Sequence, residues 1–154
     1  MANLLPIDFS QISTYITLAV ILILSVVLCM LAYRLMNVVP AKWLCDYDEE
    51  PDESLLGTRY IFKQSGIYTS ALFAIFNLGI FAFFGYSYYT IFFLLISITM
   101  LLIAMSDFKY TIIPDQFTIA LAVLCVTLAI TDLFTQQIFI KEWWSIPLGA
   151  VCGG

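Results

Sequence analysis

The sequence predicts an all-α polytopic membrane protein, a helical bundle with four complete transmembrane helices and the start of a fifth. Two observations carry this prediction. First, 62% of the 154 residues are hydrophobic and only 11% are charged, and a soluble domain of this size has too little interior to hide so much apolar surface. Second, the apolar residues occur in runs of about 20, the length at which a helix crosses the hydrocarbon core of a bilayer.

The apolar segments are expected to form one membrane domain over residues 1–154. For the first segment, about residues 14–33, a cleaved signal peptide is the alternative, but residues 1–11 lack the Lys and Arg that such a peptide needs. Three further spans and one incomplete span are expected at about residues 66–85, 88–105, 117–131 and 145–154. Asp132 follows the fourth span, and we expect its side chain in the headgroup layer.

The one long polar stretch, residues 34–65, sets the expected orientation. It carries four of the six basic residues, and Lys109 lies in the short connection at residues 106–116. Alternating spans place both segments on one side of the membrane and leave only Lys141 on the other. The positive-inside rule therefore predicts that both segments are cytoplasmic and that the N-terminus is outside.

The absence of histidine excludes several classes of site. Without it, the chain has no Ser-His or Cys-His dyad and no H-E-x-x-H zinc motif. The basic residues form no patch of the kind that binds nucleic acid. The cysteines form no C-x-x-C pair, so we expect no metal and no cofactor: Cys29, Cys125 and Cys152 are interpreted as small core residues, and Cys45 as an unreactive loop thiol.

Two carboxylates interrupt the apolar sequence in "SDFKYTIIPDQFT", where Asp107 ends the third span and Asp115 begins the fourth. The simplest interpretation is a solvated turn in which Asp115 caps the free N–H groups of the fourth helix. Three features favour a functional site instead: the residues between the acids are apolar, Pro114 fixes the backbone, and Asp107 meets the unfavourable end of a helix dipole.

Without histidine, the chemistry that suits a carboxylate in this position is that of an aspartic protease. Two close carboxylates share one proton, so that one acts as a base on water and the other as an acid on the peptide carbonyl. The pattern leaves the partner of Asp107 open, because acids that flank a turn often point apart. The partner is either Asp115 or a residue on another helix.

The same stretch resembles the D-x-x-x-x-x-I-P-D/N motif of the type IV prepilin peptidases, which are integral-membrane aspartic proteases of the GxGD group. Upstream, "LAYRLMNVVP" looks like the segment that follows the first span in this family. "PAKWLCDYDEEP" is similar to the cytoplasmic loop of its Gram-positive members. The resemblance covers about residue 31 to the C-terminus.

The resemblance implies that Asp107 is the first catalytic aspartate and that Asp115, Lys109 and Pro114 support the site. The second catalytic aspartate of the family lies in a G-x-G-D motif after the next span. The 154 residues contain no such motif, so we expect this chain to be inactive by itself. The loop also lacks the C-x-x-C pairs of many members, so we expect neither zinc binding nor the methyltransferase activity found in the family.

The function implied by the resemblance is removal of the leader peptide from prepilins or pseudopilins at the cytoplasmic face of a bacterial cell membrane. The acidic run at residues 46–53 would attract a basic leader, although a solvated charge run is the simpler interpretation. A non-catalytic membrane scaffold or assembly protein, or an inactive fragment, is the alternative. A small transporter subunit ranks third, because no span carries a charge in its central part.

Overall fold

The computed structural model describes residues 11–45, 50–51 and 53–135, which form four long α-helices and two short 3₁₀ helices. The long helices are α1 (Ile12–Val38), α2 (Gln64–Phe84), α3 (Tyr88–Tyr110) and α4 (Asp115–Phe134). The 3₁₀ helices, Ala41–Leu44 and Glu53–Leu55, lie in the connection between α1 and α2. No strand occurs in the described part of the chain.

All four long helices are long and apolar enough to cross a membrane, which confirms the predicted fold class and makes this a multi-pass membrane protein. Their 20 to 27 residues correspond to roughly 30–40 Å at 1.5 Å per residue. The helices extend beyond the predicted spans at several ends, because hydropathy marks only the part in hydrocarbon while helical hydrogen bonding continues into the headgroup region. The expected fifth span, residues 145–154, lies outside the described residues.

The helices alternate in direction, so that α1 ends, α2 begins, α3 ends and α4 begins at the same end of the bundle, which we call the loop end. At the opposite end, Gly85 turns the chain from α2 into α3. Its φ of 58° is readily accessible to glycine, and its N–H donates to the Phe81 carbonyl at 2.8 Å. The Thr90 hydroxyl then donates to the Gly85 carbonyl at 2.6 Å, which closes the turn.

A cluster of buried apolar side chains lies towards the loop end, where α1 meets α2, α3 and the connection. It contains Cys29, Ala32, Tyr33, Met36, Val39, Leu44, Leu55, Phe73 and Met105. By contrast, most large apolar side chains elsewhere on the helices point outward and are exposed. This distribution suits a bundle whose surroundings are lipid, where outward apolar side chains carry no penalty.

The fourth helix lies at the edge of the bundle and packs mainly against α3. Cys125 on α4 is therefore exposed, and the prediction that it is a core residue is wrong. An apolar run does not distinguish a lipid-facing cysteine from a buried one, since both surroundings are apolar. Cys29 is buried as expected, Cys45 is partly buried, and Cys152 lies outside the described residues.

A buried amide joins three of the helices. Asn77 of α2 is 0% exposed; its Nδ2 donates to Ser25 Oγ of α1 at 2.9 Å, and its Oδ1 accepts from Ser97 Oγ of α3 at 2.8 Å. The two serines also donate to the carbonyls of Ile21 and Leu94 in their own helices. Interhelical hydrogen bonds of this kind hold membrane helices together where lipid provides no hydrophobic driving force.

Candidate functional site at the loop end

Asp107 lies on the last turn of α3, with an exposed side chain. The helix continues three residues past it to Tyr110, and the Asp107 carbonyl accepts the N–H of Thr111 at 2.8 Å. Across the described ranges, no hydrogen bond or ion pair reaches its carboxylate. Asp107 therefore presents a solvent-accessible acid at the end of an apolar helix.

The turn after Asp107 has a defined shape. Thr111 adopts left-handed backbone angles, φ 56° and ψ 23°, which are uncommon for a β-branched residue. The Ser106 hydroxyl donates to the Ile112 carbonyl at 2.7 Å and Pro114 is buried. Ile113 remains 49% exposed, so the turn is only partly covered by the helices.

Asp115 is the first residue of α4 and is exposed. Asp115 does not occupy the N-cap position that a capping role implies, because Pro114 lies there and forms no side-chain cap. Instead, the Pro114 carbonyl accepts the N–H of Phe117 at 3.0 Å. The Asp115 charge still lies in the first turn, where it interacts favourably with the helix dipole.

One side chain clamps the connection to the end of α1. Asn37 Nδ2 donates to the Tyr60 carbonyl at 2.8 Å, and Oδ1 accepts the N–H groups of Arg59 and Tyr60 at 2.8 and 2.7 Å. The Arg59 guanidinium donates in return to the carbonyls of Asn37 and Val39. It thereby bonds the carbonyls that a helix C-terminus leaves without partners.

The same segment is tied to α3. The Tyr60 hydroxyl donates to the Met105 carbonyl at 2.6 Å, and burial raises the pKa of Tyr60 above its usual range, which keeps the hydroxyl protonated as a donor. Lys109 Nζ donates to the Arg59 carbonyl and lies 4.6 Å from the centre of the Tyr60 ring. The Tyr110 ring is 5.2 Å away, so two aromatic faces stabilise this cation.

These contacts define what the arrangement offers chemically. Met105 and Lys109 each lie two residues from Asp107. Both form hydrogen bonds that hold α3 to the connection. Lys109 thus supports the local structure through the connection and not through an ion pair with Asp107.

Among the described residues, no group of three His, Cys, Asp or Glu side chains could hold a metal ion. Asp46, Asp48, Glu49 and Asp52 of the acidic run lie outside the described residues.

The sequence reasoning missed a buried carboxylate at the opposite end of the bundle. Asp132 is 1% exposed and accepts a hydrogen bond from the hydroxyl of Tyr89, which is 0% exposed. The burial of Asp132 against a neighbouring helix was not expected from the sequence. The missed signal was the tyrosine at the start of α3, because antiparallel neighbours bring the start of one helix beside the end of the next.

No protein-family model, curated protein or solved structure matches this chain.

Proposed function

We propose that this protein acts as a membrane aspartic endopeptidase of the prepilin peptidase type, which cleaves the leader of prepilins or pseudopilins at the cytoplasmic face of a bacterial membrane. The observation that supports it most is the placement of Asp107. Its carboxylate is exposed at the end of an apolar helix. The hydrogen bonds of Tyr60 and Lys109 hold that helix end in place.

The proposed chemistry needs two carboxylates that share one proton. Asp107 supplies one of them, as base or acid, and its exposed side chain leaves room for a water molecule and a peptide bond. Asp115, the first residue of α4, is assigned a supporting role, as the resemblance of the Ile-Pro-Asp stretch implies. The second catalytic carboxylate is expected from a G-x-G-D motif, which the 154 residues do not contain.

The test compares two charge-removing variants in the product of the full-length gene. Asp107→Asn is expected to abolish leader cleavage, whereas Asp115→Asn retains substantial activity. Cleavage is measured as the mobility shift of a prepilin substrate in isolated membranes, and alkaline carbonate extraction checks that both variants insert. Equal loss of activity in the two variants would show that the roles are assigned wrongly.

A non-catalytic scaffold or assembly protein is the second candidate. It is favoured by the absence of any interaction between the Asp107 carboxylate and a second acid in the described part of the chain. The coding sequence downstream of residue 154 discriminates between the two. A G-x-G-D motif within about 20–40 residues, roughly one helix and a loop, supports the peptidase, and its absence supports the scaffold.

A further inference from the structure

An open groove of about 530 Å³ runs along the outer side of α1 at the loop end. Residues of α1 form one wall and the connection before α2 forms the other. The lining consists of Val27, Met30, Leu31, Tyr33, Arg34, Asn37, Thr58, Tyr60, Ile61 and Phe62. The groove therefore lies beside the Asn37 clamp and does not include Asp107.

The lining changes character along the helix axis. Val27, Met30 and Leu31 form the part that extends towards the middle of the bundle, and they are 53%, 45% and 47% exposed. Arg34 and Thr58 belong to the part at the loop end. An occupant that fits both parts has an apolar section along the helix and a polar section beside the guanidinium.

Among the residues that the structure describes, the polar part carries positive charge without a matching acid. Arg34 is exposed and forms no hydrogen bond or ion pair with the described residues. Arg59 lies between the lining residues Thr58 and Tyr60, and its Nε and Nη1 atoms are buried without a hydrogen-bond partner. The ten lining residues include no Asp or Glu. The groove therefore favours an anion at its loop end.

We propose that this groove binds an anionic phospholipid, with the phosphate beside Arg34 and an acyl chain along Val27, Met30 and Leu31. A guanidinium matches the geometry of phosphate oxygens, and basic pockets at the membrane surface bind lipid headgroups in this way. Val27 lies about two helical turns, or roughly 11 Å, from Arg34 along the helix axis. An acyl chain can therefore follow this face while the phosphate stays beside Arg34. The proposal does not depend on peptidase activity.

The first test measures which lipid stays bound to the detergent-solubilised protein by native mass spectrometry. Phosphatidylglycerol and phosphatidylcholine with the same acyl chains are added separately. We expect preferential retention of phosphatidylglycerol, and Arg34→Gln lowers it roughly fivefold, which corresponds to about 1 kcal/mol for one basic residue at an anionic surface. Lys63→Gln is the matched control, because Lys63 is exposed at the same end but does not line the groove.

A second pair of variants tests the apolar part without changing any charge. Leu31→Trp fills the groove and is expected to reduce phosphatidylglycerol retention, whereas Leu24→Trp, at an exposed position of α1 outside the groove, does not. Equal retention of the two lipids by the unaltered protein would overturn the proposal. So would equal losses in Arg34→Gln and Lys63→Gln, since general surface charge would then explain the preference.

Discussion

Single buried polar residues mark the places where the helices of this protein meet. Asn77 lies inside the bundle with both polar ends of its amide bonded to other helices. Asp132 lies near the end of α4 and accepts a hydrogen bond from the Tyr89 hydroxyl. Both side chains sit on helices that are otherwise strongly apolar, where an unpartnered polar group costs free energy. Their hydrogen bonds therefore specify which helices are neighbours.

At this scale we predict the effect of removing one donor. Tyr89→Phe takes the hydroxyl from the buried Asp132 carboxyl group and is expected to lower the free energy of unfolding by about 1–2 kcal/mol. Denaturation with sodium dodecyl sulfate in mixed micelles measures the change. Tyr68→Phe is the control, because Tyr68 is 76% exposed. Equal stability of the two variants would contradict a stabilising role for the Tyr89–Asp132 contact.

At the scale of elements, the connection between α1 and α2 is held at its α2 side by a few specific bonds. Asn37 binds three backbone groups of Arg59 and Tyr60, and Tyr60 and Lys109 extend the attachment to α3. The helix end that carries Asp107 is thereby fixed by residues distant in sequence. Such rigid placement suits the catalytic role that we propose for Asp107.

The prediction for this element uses two substitutions of one residue. Asn37→Ala removes the acceptor for the Arg59 and Tyr60 amides, so their hydrogen exchange is expected to accelerate by about tenfold, the factor equivalent to 1.4 kcal/mol. Asn37→Asp keeps an oxygen acceptor for both amides but loses the Nδ2 donor to the Tyr60 carbonyl. The exchange of both amides is therefore expected to accelerate less than in Asn37→Ala. Amide exchange followed by mass spectrometry measures both. Similar acceleration in both variants would show that the amide acceptor is not the decisive contact.

At the scale of the whole molecule, the loop end carries most of the basic residues on which the predicted orientation depends. Arg34, Arg59, Lys63 and Lys109 all lie at this end of the four helices. The positive-inside rule then predicts a cytoplasmic loop end and an outer turn between α2 and α3. The proposed peptidase site and the lipid groove would then share one membrane surface.

Orientation is tested with single cysteines introduced into a protein whose native cysteines are replaced by alanine. Tyr86→Cys, at a 46% exposed position in the turn between α2 and α3, is expected to react with a membrane-impermeant maleimide in intact cells. Phe108→Cys, at a 95% exposed position at the loop end, is expected to react only after permeabilisation. The reverse labelling pattern would mean that the loop end faces outward.

The sequence alone determined the fold class and the existence of four spans, because hydropathy and span length follow from the solvent that surrounds each segment. It also placed Asp107 at the end of α3 and Asp115 at the start of α4, since a proline and polar residues mark that turn. The burial of Cys125 was predicted wrongly, and the burial of Asp132 against Tyr89 was not predicted. Local patterns do not report which face of an apolar helix meets another helix.

Only the tertiary structure decided which polar residues meet. The Asn37 clamp joins residues 22 and 23 positions apart, and the Tyr60 hydroxyl reaches a carbonyl 45 positions away. Asp132 and its donor Tyr89 are separated by 43 positions. The packing of antiparallel helices creates these pairs, and it also forms the groove beside Arg34 from two separate segments. The free energy of moving a segment from water into lipid depends on that segment's own residues. Which polar side chains form hydrogen bonds depends on how all the helices pack together.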